Sequence, residues 1–121
     1  KKTLEIVPLK QITLSSDANG SFPIWDENLN IVGMGVGKME TLYASIRSLI
    51  LEEHVDISTA ISIITKNVAD ALLLKQKGSI EKGKDADIVL LDSDLNVTDV
   101  FALGKQVVKE KAIVAKNYYQ Y

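Results

Sequence analysis

A chain of 121 residues that is 46% hydrophobic has the length and apolar content for one ordinary domain with a buried core. Its 14 Lys and Arg stand against 16 Asp and Glu, a net charge of -2 spread without a basic block, which argues against nucleic acid as a partner. With no cysteine and a single histidine, His54, the chain lacks the means for a disulfide scaffold, a thiolate zinc site, a cysteine nucleophile or a histidine-rich metal cluster.

In chain order, Leu4 to Val7 reads as the end of one element, and Pro8-Leu9-Lys10-Gln11 as a turn out of it. Ile12-Thr13-Leu14-Ser15-Ser16, apolar and β-branched at its start, predicts a short buried strand. Asp17-Ala18-Asn19-Gly20-Ser21 follows at once, and Asn-Gly is a turn signal because both residues tolerate positive φ. Asp17 is thus expected where a strand stops. From Phe22 to Lys38 no period is sustained, and with Pro23 and glycines at 33, 35 and 37 the segment reads as a long loop ending in a flexible glycine-rich stretch. Trp25 in that loop suits the rim of a site or the cover of apolar surface equally.

Leu42, Ile46, Leu49 and Ile50 share one face at 3.6-residue spacing, which predicts a helix over 39–53. Asp56 or Ser58 can cap a shorter helix carrying Ile57, Ala60, Ile61 and Ile64, and a third helical turn is expected from about Val68 to Leu73. After a composition change at 74–78, Gly78 to Asp87 forms a glycine-bounded turn segment, and Ile88-Val89-Leu90-Leu91 suits a fully buried strand. Val97 to Leu103, Gln106 to Val108 and Ala112 to Val114 are further short strands. The expected division is therefore 1–74 and 75–121, with no internal repeat. No apolar run approaches the roughly 20 residues needed to span a bilayer, and no signal peptide opens the chain, so a soluble cytoplasmic protein without membrane contact is expected. Since the first residue is not Met, the chain is also expected to be a piece of something longer.

A carboxylate at the C-terminal end of a buried parallel strand is placed to bind a metal, because α/β barrels build their active sites on that face. On position alone an Asp before Asn-Gly is more often a turn former, and the residues around Asp17 change that balance. Ser15-Ser16-Asp17-Ala18-Asn19-Gly20-Ser21 resembles the last barrel strand of isoaspartyl dipeptidases in the metal-dependent amidohydrolase superfamily, where Ser-Ser-Asp-Gly-Asn-Gly-Ser is usual and Ala18 replaces a glycine. Gly78-Ser79-Ile80-Glu81-Lys82-Gly83-Lys84-Asp85-Ala86-Asp87-Ile88 is similar to the superfamily signature Gly-x-Ile-x-x-Gly-x-Asp-Ala-Asp-hydrophobic. Gly37-Lys38-Met39-Glu40-Thr41-Leu42 resembles Gly-Phe-Glu-Thr-Leu at the helix after the last strand. Thr65-Lys66-Asn67-Val68-Ala69 resembles Thr-x-Asn-Pro-Ala, with Val68 in place of the proline.

The resemblance implies the C-terminal portion of a TIM barrel, its last strand and helices, joined to C-terminal strands of a small β-sandwich domain; as an isolated chain it is α+β. It also implies a parent with two zinc ions that hydrolyses β-aspartyl dipeptides, in which Asp17 is both a metal ligand and the general base and then acid. Ser21 would contact the bound dipeptide and Gly20 would admit its close approach. The histidines and carboxylated lysine of such a site lie on earlier strands, and nothing before Ile12 supplies them, so this chain is expected to be inactive and to hold no zinc alone. His54, beside Glu52, Glu53 and Asp56 at a helix end, reads as a solvated side chain. The alternatives are another amidohydrolase, of dihydroorotase, N-acyl amino acid deacylase or deaminase type, or a purely structural module.

Gly33 to Lys38 lacks the Ser or Thr of a phosphate loop and reads as a flexible connector beside the site, and Asp85 with Asp87 lacks a calcium-loop pattern and reads as turn and capping residues. Tyr118, Tyr119 and Tyr121 are expected to pack as a terminal tail. Unpaired strand edges favour self-association, so a homo-oligomer is expected.

Overall fold

The structure, a computed structural model, describes residues 1–115; the three terminal tyrosines lie outside the described residues. Helices and strands are mixed, and the strands form two separate antiparallel sheets. By internal contacts the chain falls into two units, Lys1–Asn67 and Val68–Tyr121. No helix of the described residues is long and apolar enough to cross a membrane.

The first unit opens with a short helix α1 (Lys2–Ile6) and a 3-10 turn (Leu9–Gln11). Residues 12–17 carry no strand assignment, although Ile12 has extended geometry with φ -105 and ψ 123. The predicted strand is extended at its start and unpaired, because a ladder exists only where a neighbour exchanges hydrogen bonds and no described residue does so here.

Residues 22–38 differ more from expectation. They form a hairpin of β1 (Ser21–Trp25) and β2 (Ile31–Val36), with Phe22 opposite Gly35 and Ile24 opposite Gly33. None of the three glycines there has positive φ. Gly35 is needed for space, since a Cβ there would stand 2.5 Å from the Phe22 ring, whereas one on Gly33 would make only an ordinary contact with Ile24 at 3.7 Å. At Gly35 the strand face is therefore left bare for the cross-strand Phe22 ring.

Helix α2 (Glu40–Leu51) and helix α3 (Ile57–Ser62) follow the predicted pattern, with the Asp56 carboxylate accepting the Thr59 N–H at 3.0 Å as the N-cap. His54, exposed and at φ 53, lies in the link between them. Ile46, Ala60 and Ile63 form the buried centre, and Leu4, Leu9, Ile12, Tyr43, Leu49 and Ile50 pack against it. Helix α4 (Lys66–Ala71) begins within this unit. Val68 is its third residue, in the first turn, where a proline is tolerated because the early amides have no intrahelical acceptor; valine fits equally.

In the second unit β3 (Ile88–Leu91), β4 (Val97–Ala102), β5 (Lys105–Lys109) and β6 (Ala112–Ile113) make one meander in sequence order. The signature segment before β3 is tied by Lys77, whose ammonium contacts the Asp85 carboxylate at 2.9 Å and also bonds Asp87. Asp87 in turn accepts the Leu103 N–H at 2.7 Å. Both aspartates are thus turn and bracing residues.

One five-residue loop occurs twice. Asp26-Glu27-Asn28-Leu29-Asn30 closes β1 and β2, and Asp92-Ser93-Asp94-Leu95-Asn96 closes β3 and β4. In each, the Asp carboxylate accepts the N–H groups two and four residues on, the Asn side chain donates back to it, and the Leu takes positive φ, 62 and 60. This shared loop geometry is too short to stand out in the sequence alone.

The buried core is small for the apolar content. Only Ile46, Ala60, Ile63 and Ala69 are buried hydrophobics among the described residues, while Trp25, Val32, Met34 and Val36 are each more than half exposed. The hairpin carries apolar side chains on faces that no described layer covers.

Candidate active site turn

Asp17 begins a tight turn in which the Gly20 N–H donates to the Asp17 carbonyl at 2.9 Å. The central residues are Ala18 and Asn19, and Asn19 takes φ 66, a left-handed conformation that asparagine tolerates at the third position of such a turn. Ala18 has no positive φ, so the alanine at a position where the dipeptidases use glycine carries no backbone strain. Gly20 also lacks positive φ, which corrects the sequence argument for it. Its use is space. A Cβ there would stand 2.7 Å from the carboxylate carbon and from both oxygens of Asp17.

Asp17 itself takes φ 48, uncommon for a non-glycine residue. Two side chains before it steady the approach: Ser15 Oγ accepts the Asp17 N–H and Ser16 Oγ accepts the Ala18 N–H, both at 3.3 Å. The far side of the turn is built onto the hairpin. The Asn19 N–H donates to the Gly37 carbonyl at 3.0 Å, and the Gly37 N–H donates to the Gly20 carbonyl at 2.9 Å, so the turn extends the β1–β2 ladder beyond Ser21 and Val36. Gly37 permits this because a Cβ there would collide with the Asp17 carbonyl oxygen and lie 3.3 Å from that of Ser16.

Asp17, Gly20 and Ser21 are therefore brought together, with Asp17 and Ser21 exposed and Ser21 the first residue of β1. Trp25 lies at the far end of the same strand and is not drawn to the turn. Gly37 belongs to the turn and was missed in the sequence reading, although its place in the glycine alternation could have revealed it. Among the described residues no three His, Cys, Asp or Glu side chains gather where they could hold a metal ion. A cleft of about 560 Å³ beside α1, lined by Lys1, Lys2, Thr3, Glu5 and Glu53, includes none of the turn residues.

Comparison with known proteins gives this turn a context. The amidohydrolase family matches residues 5–110. A solved structure of a β-aspartyl dipeptidase from Fervidobacterium islandicum AW-1, in complex with a β-Asp-Leu dipeptide, superposes with TM-score 0.82 at 31% identity over 97% of this chain. A second structure of a β-aspartyl dipeptidase from that organism gives 0.76 at 26% identity, also over 97%. N-acetylglucosamine-6-phosphate deacetylase from Thermotoga maritima shares the fold, with TM-score 0.70 and 20% identity over 90% of this chain and 34% of its own. Adenine deaminase of Nitratidesulfovibrio vulgaris is 37% identical over 62 residues, 50% of this chain and 11% of its own. The chain spans 31% and 28% of the two dipeptidase chains, about a third of their length.

Proposed function

Because the chain belongs to the amidohydrolase family, which matches it from residue 5 to residue 110, we propose that it is part of a zinc-dependent isoaspartyl dipeptidase. The observation that carries this reading is its likeness, over 97% of its length, to a dipeptidase solved with a β-aspartyl dipeptide. The exposed carboxylate of Asp17, held on a backbone-braced turn, supports it. So do the uncovered apolar faces of the hairpin, which suit a portion of a larger packed protein.

The described residues do not by themselves fit a zinc ion, since a zinc site draws on three or four donors and no such group forms. Asp17 is proposed as one ligand, the others coming from the rest of the longer protein. Zinc, when bound, supplies Lewis acidity to the reaction. What this chain contributes is proton transfer and substrate contact. The Asp17 carboxylate takes a proton from the attacking water and delivers it to the leaving amine, acting as base and then acid. The Ser21 hydroxyl donates to a carboxylate of the dipeptide, and Gly20, with no side chain, leaves the approach open.

The test has two arms. The 121-residue chain with zinc should show no hydrolysis of β-aspartyl dipeptides, whereas the longer protein should turn them over and lose nearly all activity on Asp17→Asn. Normal turnover by that variant would overturn the assignment of Asp17. The adenine deaminase match favours a second reading, deamination of a purine base. A panel of β-aspartyl dipeptides, dihydroorotate, N-acyl amino acids and adenine on the longer protein decides between them.

A further inference from the structure

Asn67 is the single buried polar side chain among the described residues, 5% exposed. Its side-chain amide donates to the Leu9 carbonyl at 2.6 Å and to the Ile12 carbonyl at 2.8 Å, across separations of 58 and 55 residues. A primary amide carries two N–H groups, and here both are spent on main-chain acceptors, which no aliphatic or carboxylate side chain of that size could satisfy. The two carbonyls bracket the 3-10 turn and stand where the extended run toward Asp17 begins.

That run is held only at its ends. Thr13, Leu14, Ser15 and Ser16 make no backbone–backbone hydrogen bond to another described residue, so no ladder defines their path. At the far end the Asn19 and Gly37 amides bind the turn to the hairpin. At the near end Ile12 packs against the core of Ile46, Ala60 and Ile63, and Asn67 sets which way its carbonyl faces. Rotating that peptide would turn the side-chain alternation of the residues that follow, because successive side chains of an extended chain point to opposite sides.

We infer that Asn67 is a positioning residue for Asp17, clamping the start of the segment that presents the carboxylate. The inference rests on the reading of Asp17 as the reacting group. In this role Asn67 acts through the main chain of Leu9 and Ile12.

Amide hydrogen exchange of the 121-residue chain, followed by NMR, tests this without substrate. In the wild type the Asn67 side-chain amide protons should exchange at least tenfold more slowly than those of the exposed Asn28. In Asn67→Ala and in the near-isosteric Asn67→Asp, the Asn19 and Gly37 backbone amides should exchange at least tenfold faster, while the amide of Ile46 in α2 keeps its rate. Unprotected Asn67 side-chain protons would overturn the clamp even if both variants fail to fold. Unchanged Asn19 and Gly37 rates, or an equal rise at Ile46, would reduce Asn67 to a general stability residue. A failed dipeptide assay would refute the peptidase reading alone, since exchange involves no catalysis.

Discussion

The Asp17 carboxylate occupies the space that a Cβ on Gly20 would fill, with its carbon and both oxygens 2.7 Å from that point. The obstacle is the movable end of a side chain. Gly20→Ala should therefore leave the urea midpoint of the chain nearly unchanged, while the side-chain carboxyl 13C resonance of Asp17 shifts as the group is displaced. A resonance at the wild-type position would show that the carboxylate does not rest on Gly20.

Gly37→Ala makes the contrasting case. Its new methyl would meet the backbone oxygens of Asp17 and Ser16, which cannot swing aside. Forced overpacking of this kind costs about 1–3 kcal/mol. The expected result is a lower urea midpoint together with loss of protection at the Asn19 amide. An unaltered midpoint would mean that the turn does not dock on β2 in solution.

The loop Asp92 to Asn96 should make the fold sensitive to acid. The Asn96 backbone N–H, then its side-chain amide, lower the Asp92 carboxyl from 3.8 to about 2, with smaller help from Lys111 and the Asp94 N–H. In the matching loop the Asn30 backbone N–H and side chain lower Asp26 as well. A carboxyl depressed in the folded state contributes stability above its unfolded value, and that contribution is lost as pH falls through the folded value. Stability should thus decline between about pH 4 and pH 2, and Asp92→Asn should flatten the Asp92 share of the decline. Urea titrations at several pH values measure it; an identical slope in the variant would remove Asp92 as its source.

Helix α3 depends on its cap. Asp56 accepts the Thr59 N–H, and removing such a cap costs about 1 kcal/mol. Asp56→Ala should lower stability by roughly that amount, whereas Asp56→Ser should recover most of it. Chemical denaturation of the two variants side by side provides the check.

Ile46 is 1% exposed and lies at the centre of the first unit's core. Replacing a buried isoleucine by alanine costs about 2–5 kcal/mol through lost burial and the cavity left behind. Because the core is small, Ile46→Ala should unfold much of Lys1–Asn67, visible as collapsed amide dispersion for that unit. Retained dispersion would mean that the three helices are held by something other than this contact.

The sequence by itself determined helices α2 and α3 and the path of the sheet meander, though not the burial of β3, where Val89 and Leu90 are about half exposed and not fully buried as expected. The apolar period of Leu42, Ile46 and Leu49, the Asp56 cap and the runs Ile88 to Leu91 and Val97 to Ala102 are local patterns, and local geometry follows from them. It also identified the Asp17 turn through a short motif. Only the tertiary structure decided why glycines stand at 35 and 37, because a Cβ there would run into the Phe22 ring or the Asp17 main chain, and neither has a positive φ of its own to require it. The same holds for Asn67, whose partners lie more than fifty residues away along the chain. Ile12 to Ser16 shows the converse: a strand-like sequence is completed as a strand only when a neighbour takes its hydrogen bonds, and composition cannot reveal whether one is there.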